Sequence, residues 1–161
     1  MALNDPVTAR IISFLGEIGI PVVIEALDED TLLPAMTVRY GTLVVDPDRL
    51  TWSGDLLHEA GHIAVTDPAA RASLSEIPSD PAEEMAAIAW SYAAAVEIGL
   101  DPRIVFHDDG YVGGGGYLAD AFAEGGSPGL PILQWFGMTA DRRTAEKQGV
   151  APFPHMLRWL R

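Results

Sequence analysis

Apolar residues recur along the first segment at helical spacing. Val7, Ile11, Phe14, Leu15 and Ile18, with Pro6 at the start and Gly19 just past the end, predict a helix over 6–18. The run PVVIEAL (21–27) reads as a strand ended by the acidic turn Asp28-Glu29-Asp30. MTVRYGTLVVDPDRL (36–50) holds two β-rich runs split by Tyr40-Gly41-Thr42 and closed by Asp46-Pro47-Asp48. It predicts a hairpin, or one strand with a bulge at Gly41. A second helix is expected from Trp52 to Val65, capped by Thr51 or Ser53, with Asp55 in its first turn. After a loop over 67–80 comes a strong start signal: Asp80 as cap, Pro81 at the first helical position, and Glu83 completing a capping box. That helix runs through MAAIAWSYAAAVEI to Gly99 and is apolar nearly all round, which predicts burial against close neighbours. Four glycines (113–116) and proline-punctuated segments with short helical pieces follow. The order is helix, strands, then helices: an α+β layout in one domain, 1–161, with a core over about 5–98 and a Gly/Pro-rich extension over 99–161.

Composition narrows the chemistry. An apolar fraction of 48% in 161 residues supplies a packed core. Twenty-three acidic residues against ten basic ones give a formal charge of −13, and Lys147 is the only lysine. Nucleic acid and anionic membrane surfaces are disfavoured as partners, because both are held by clustered cations. There is no cysteine, so disulfides, thiol nucleophiles and thiolate metal sites are excluded, and any metal must be held by His, Asp or Glu. The first residues carry Asp5 and Pro6 where a signal peptide needs positive charge and a long apolar run, and no stretch is apolar enough to span a bilayer. A cytoplasmic location is expected.

Within the second helix, DLLHEAGHIAV places His58, Glu59 and His62 in an H-E-x-x-H pattern. Residues four apart on a helix share a face, so both imidazoles can reach one ion. Glu59 is rotated by about 100° from His58, which suits a base beside the activated water rather than a ligand. Gly61 allows another backbone to approach. A catalytic zinc takes three protein ligands and one open position. A metzincin extension would need glycine at Val65 and histidine at Pro68, so the third ligand is expected from the following helix. Glu83 has a capping role there. Glu84 has none, and it heads a stripe of Ala87, Ile88, Ser91 and Ala95, where a lone carboxylate is costly unless paired or metal-bound. Glu84 is therefore preferred over Glu83.

His58-Glu59-Ala60-Gly61-His62, followed by Glu84 with Ala87 three on and Trp90 six on, resembles the minimal zincin core of the ImmA/IrrE metallopeptidases. The preceding hairpin fits as well, and the resemblance covers roughly 5–98. It implies a zincin-like fold and a Zn²⁺-dependent peptidase that cuts a repressor or other regulatory protein.

Other signals are weaker. The glycine run lacks the Lys and Ser/Thr of a phosphate loop, so a flexible loop is expected, with a flap over the cleft as the functional alternative. His107-Asp108-Asp109 reads as a solvated turn before an accessory metal or proton site. Tyr111, Tyr117 and His155 are open candidates for polarising an oxyanion. Trp135, Phe136, Phe153, Trp159 and Leu160 read as core or as a docking tail. The expected function is a zinc peptidase: His58, His62 and Glu84 hold the metal, Glu59 is the base, and a peptide, with a basic segment favoured by the acidic charge, lies beside the hairpin strand. The alternative is a non-catalytic regulator or protein-binding module on the same fold.

Overall fold

The computed structural model describes residues 5–28, 35–111 and 114–161. It is an α+β fold: seven helices and a small three-stranded sheet among the described residues. Helix α1 (Pro6–Glu17) starts at Asp5, whose side chain accepts from the Val7 and Thr8 amides. Strands β1 (Val22–Ile24), β2 (Met36–Arg39) and β3 (Thr42–Val45) lie in the order β1-β3-β2. β1 runs parallel to β3, and β2 pairs with it antiparallel in the register Met36↔Val45 to Arg39↔Thr42. Residues 36–45 thus form a hairpin rather than a bulged strand. Its two turn residues, Tyr40 and Gly41, both have positive φ (50° and 72°), the backbone that matches the twist of paired strands. The first strand is shorter than the apolar run suggested, and Glu29 and Asp30 of the acidic turn lie outside the described residues.

Helix α2 (Asp55–Val65) touches α1, β2, β3 and α4 (Pro81–Glu97). It starts three residues later than expected, and neither Thr51 nor Ser53 caps it. Gly54 is the cap residue, with no side-chain bond, while the Ser53 hydroxyl donates to Asp5 and lies 2.7 Å from the Thr8 hydroxyl. A Cβ on Gly54 would sit 1.9 Å from the Ile104 carbonyl oxygen, so the 3₁₀ turn Pro102–Ile104 could not pack there against any other residue. The loop over 67–80 contains one short helix, α3 (Pro68–Arg71), capped by Asp67. Its Arg71 guanidinium donates to the Ile63, Ala64 and Thr66 carbonyls, which closes the C-terminal end of α2.

Fully buried alanines at 86, 87, 89 and 93–95 let α4 approach its neighbours closely. Gly61 completes that contact: a Cβ there would lie 3.0 Å from the Ala87 carbonyl oxygen. Trp90 is fully buried, and its indole N–H donates to the Trp159 carbonyl at 2.9 Å. Residues 99–161 add α5 (Gly116–Ala123), α6 (Leu130–Trp135) and α7 (Arg142–Gln148), and Phe106, Phe122, Leu133 and Met138 join the same apolar cluster. Of the aromatic residues expected as core or docking tail, Phe136, Phe153 and Trp159 are half-buried and pack on that cluster with Leu160. Trp135 does not, being 86% exposed. No helix among the described residues is long and apolar enough to cross a membrane.

Candidate metal centre

His58 and His62 lie one turn apart on α2, and Glu84 sits in the first turn of α4. The close α2–α4 contact at Gly61 and Ala87 brings the three together. Glu84 Oε1 is 3.4 Å from His58 Nε2, Glu84 Oε2 is 3.1 Å from His62 Nε2, and the two Nε2 atoms are 3.2 Å apart. Candidate ligand atoms from all three residues lie within 4.8 Å of one another, so the group could hold a metal ion. Two imidazoles and one carboxylate form a borderline donor set that suits a divalent transition metal.

Glu83 takes no part in this cluster. The expected capping box forms only by half: Asp80 accepts from the Ala82 and Glu83 amides, but its own amide donates to the Pro78 carbonyl. The Glu83 carboxylate instead faces Arg161 at 3.6 Å. The expected capping role of Glu83 is therefore not found, and its carboxylate is engaged by Arg161 instead.

Burial and charge set the ionisation of the site. The His58 imidazole is pushed down to about 4, chiefly by burial, with His62 adding and Glu84 opposing. It is therefore neutral at pH 7, the form that binds metals. Glu84 is held below the ordinary carboxylate range, first by its hydrogen bond with His62. Glu59 moves the other way. Burial raises it, Glu84 and Asp55 add to that, and His62 opposes. An elevated carboxylate beside a cleft is suited to exchanging protons.

That cleft measures about 360 Å³ and is lined by His58, Glu59, Ala35 and Met36 at the start of β2, Trp52, Asp55 and His107. His107 is not the solvated turn residue expected. It is buried, its Nε2 lies 2.7 Å from Asp55 Oδ1, and its ring stacks on Trp52 at 4.4 Å and 15°. Its Nδ1 is buried with no hydrogen-bond partner among the described residues. Sequence reasoning missed this pair because its members stand 52 positions apart, and Asp55 has a sufficient local explanation as a first-turn acid.

Of the three candidate oxyanion residues, only Tyr111 is placed beside the metal-ligand cluster. Its hydroxyl is 3.1 Å from His58 Nδ1. Tyr117 is 58% exposed, and the His155 side chain is exposed as well. Within the glycine run, Gly113 lies outside the described residues. A Cβ on Gly115 would sit 2.4 Å from the Phe106 carbonyl carbon, and Gly116 opens α5. Gly115 is close-packed and Gly116 is helical, so the expectation of a simple flexible loop does not describe them.

No protein-family model, curated protein or solved structure matches this chain.

Proposed function

We propose that the chain is a zinc-dependent peptidase of the ImmA/IrrE type, with His58, His62 and Glu84 holding the ion and Glu59 as the general base. The observation that carries this reading is the convergence of both histidines with Glu84, beside a cleft that Glu59 also lines. A bound Zn²⁺ would supply Lewis acidity toward water and the scissile carbonyl. Glu59, lifted in affinity for protons by its surroundings, takes the proton of the attacking water and returns it to the leaving amine. Among the described residues strand β2 is an edge strand, and Ala35 and Met36 border the cleft, so an extended peptide can add alongside it.

The test compares parent protein with Glu59→Gln. Protein purified without added metal should carry one zinc per chain, and the parent should show chelator-sensitive peptide cleavage. The variant should keep zinc and fold but lose at least about 100-fold in rate, because an amide cannot accept the proton. Cleavage at the parental rate by Glu59→Gln would refute the mechanism. Tight capture of an uncleaved protein by the zinc-loaded parent would favour the non-catalytic regulator.

A further inference from the structure

The contact between Tyr111 and His58 bears on which nitrogen of that imidazole faces the ion. His58 points Nε2 at Glu84 and at His62 Nε2, and its Nδ1 lies 3.1 Å from the Tyr111 hydroxyl. A neutral imidazole carries one N–H. If Nε2 offers its lone pair to a metal, the proton must sit on Nδ1, and a donor on a half-buried ring is favoured by a protein acceptor. The Tyr111 oxygen is the acceptor placed there among the described residues. From this geometry we infer that Tyr111 is a positioning residue, which accepts the His58 Nδ1–H and so fixes the ring orientation that presents Nε2 to the ion. The inference rests on the metal reading proposed above and assigns Tyr111 a different task from the oxyanion contact, for which it is one of three open candidates.

Three further features agree. The same segment walls the cleft with Asp109 and Gly110, whereas Tyr111 is not among the cleft-lining residues. Its ring stands edge-on to His58 at 5.6 Å and 79° and packs against Phe106 at 5.8 Å, so its place is set by packing. The segment is pinned by backbone bonds, from the Gly114 amide to the Tyr111 carbonyl (2.8 Å) and from the Gly110 and Gly115 amides to the His107 carbonyl. Gly115 contributes at one remove: it admits the Phe106 backbone at a distance no side chain would tolerate, and the Phe106 ring packs on Tyr111. The phenol is in its protonated form at neutral pH, which lies well below the ordinary tyrosine value of about 10. Its neutral oxygen keeps a lone pair for Nδ1–H.

The experiment is a competitive Zn²⁺ titration of the full chain against a chromophoric chelator, parent beside Tyr111→Phe. Phenylalanine keeps the ring and removes only the acceptor. The zinc dissociation constant should rise about 10–100-fold, the usual cost of losing a group that orients a metal-binding histidine. The zinc-free melting temperature should stay close to the parent's. Equal affinity in the two proteins overturns the assignment. A second readout needs no variant: long-range ¹H–¹⁵N spectra of the zinc-loaded parent should show His58 protonated at Nδ1 and metal-bound through Nε2. The opposite tautomer overturns the assignment, whatever the variant does. A parent that takes up no zinc defeats the metal reading itself, whereas a parent that binds zinc as tightly as Tyr111→Phe defeats only the role of Tyr111.

Discussion

At the scale of single residues, Glu83 and Glu84 are neighbours of the same type on the same helical turn, and their surroundings alone separate them. Glu84 reaches both imidazoles, and Glu83 reaches Arg161 in a partly exposed ion pair. Replacing Glu84 with alanine is expected to abolish zinc binding with little change in the zinc-free fold. Glu83→Ala should keep zinc and cost about 0.5 kcal/mol or less, as exposed ion pairs do. Zinc analysis and denaturant titration of the two variants check both halves, and equal zinc loss in the two would contradict the assignment. The histidine pair could be picked out because its spacing is local and helical, and Glu84 because an acid with no capping role heads an apolar stripe on the next helix. His107 could not. Its partners Asp55 and Trp52 lie about fifty positions away, and only the folded chain brings them to the same cleft.

At the scale of elements, each helix start depends on what surrounds it. Asp80 caps α4 as the sequence predicts. Asp5, which is not among the predicted caps, caps α1 with the same arrangement of capping residue and following proline; both contacts close within three residues. The start of α2 differs from the sequence expectation for the opposite reason. Ser53 has the right chemistry, but Asp5 and Thr8 recruit it from another helix, and Gly54 is required by the backbone at Ile104. Gly54→Ala should therefore cost roughly 2–4 kcal/mol in denaturant unfolding, well beyond any gain in helix propensity. A neutral result would mean that the Pro102–Ile104 turn can move away freely. Asp5 gives a pH dependence. The Thr8 amide, the largest influence, and the Thr8 hydroxyl hold its carboxyl below the ordinary range, with burial opposing. A depressed folded-state value stabilises the fold above the unfolded value of about 3.9 and loses that effect as pH falls through the folded one. Asp5→Ala should melt below the parent at pH 7, and the gap should close below about pH 4. A gap that persists at pH 2 would assign the effect to packing rather than to the charged cap.

At the scale of the whole molecule, the proposed chemistry sits in a chain of net charge −13. The cleft wall itself carries Glu59, Asp55 and Asp109, while its one cation, Arg49, is occupied by the Leu27 and Asp28 carbonyls. A field of that sign attracts cationic segments over distances set by the Debye length, about 8 Å at 0.15 M salt. It also repels acidic ones. The cleft is small, about 360 Å³, which suits one or two side chains rather than a long run of arbitrary sequence. Together these features favour a defined protein substrate with a basic segment near the cut, and they disfavour general digestion of unfolded chains. Paired peptides that differ only in flanking lysines or glutamates provide the measurement. The basic peptide should show the higher kcat/KM at 50 mM salt, and its advantage should shrink several-fold by 300 mM as screening tightens. Bulk casein should be cut slowly or not at all. Rapid cleavage of many unrelated unfolded proteins would defeat the specificity claim, and a preference that ignores salt would place selection in cleft contacts instead of the long-range field.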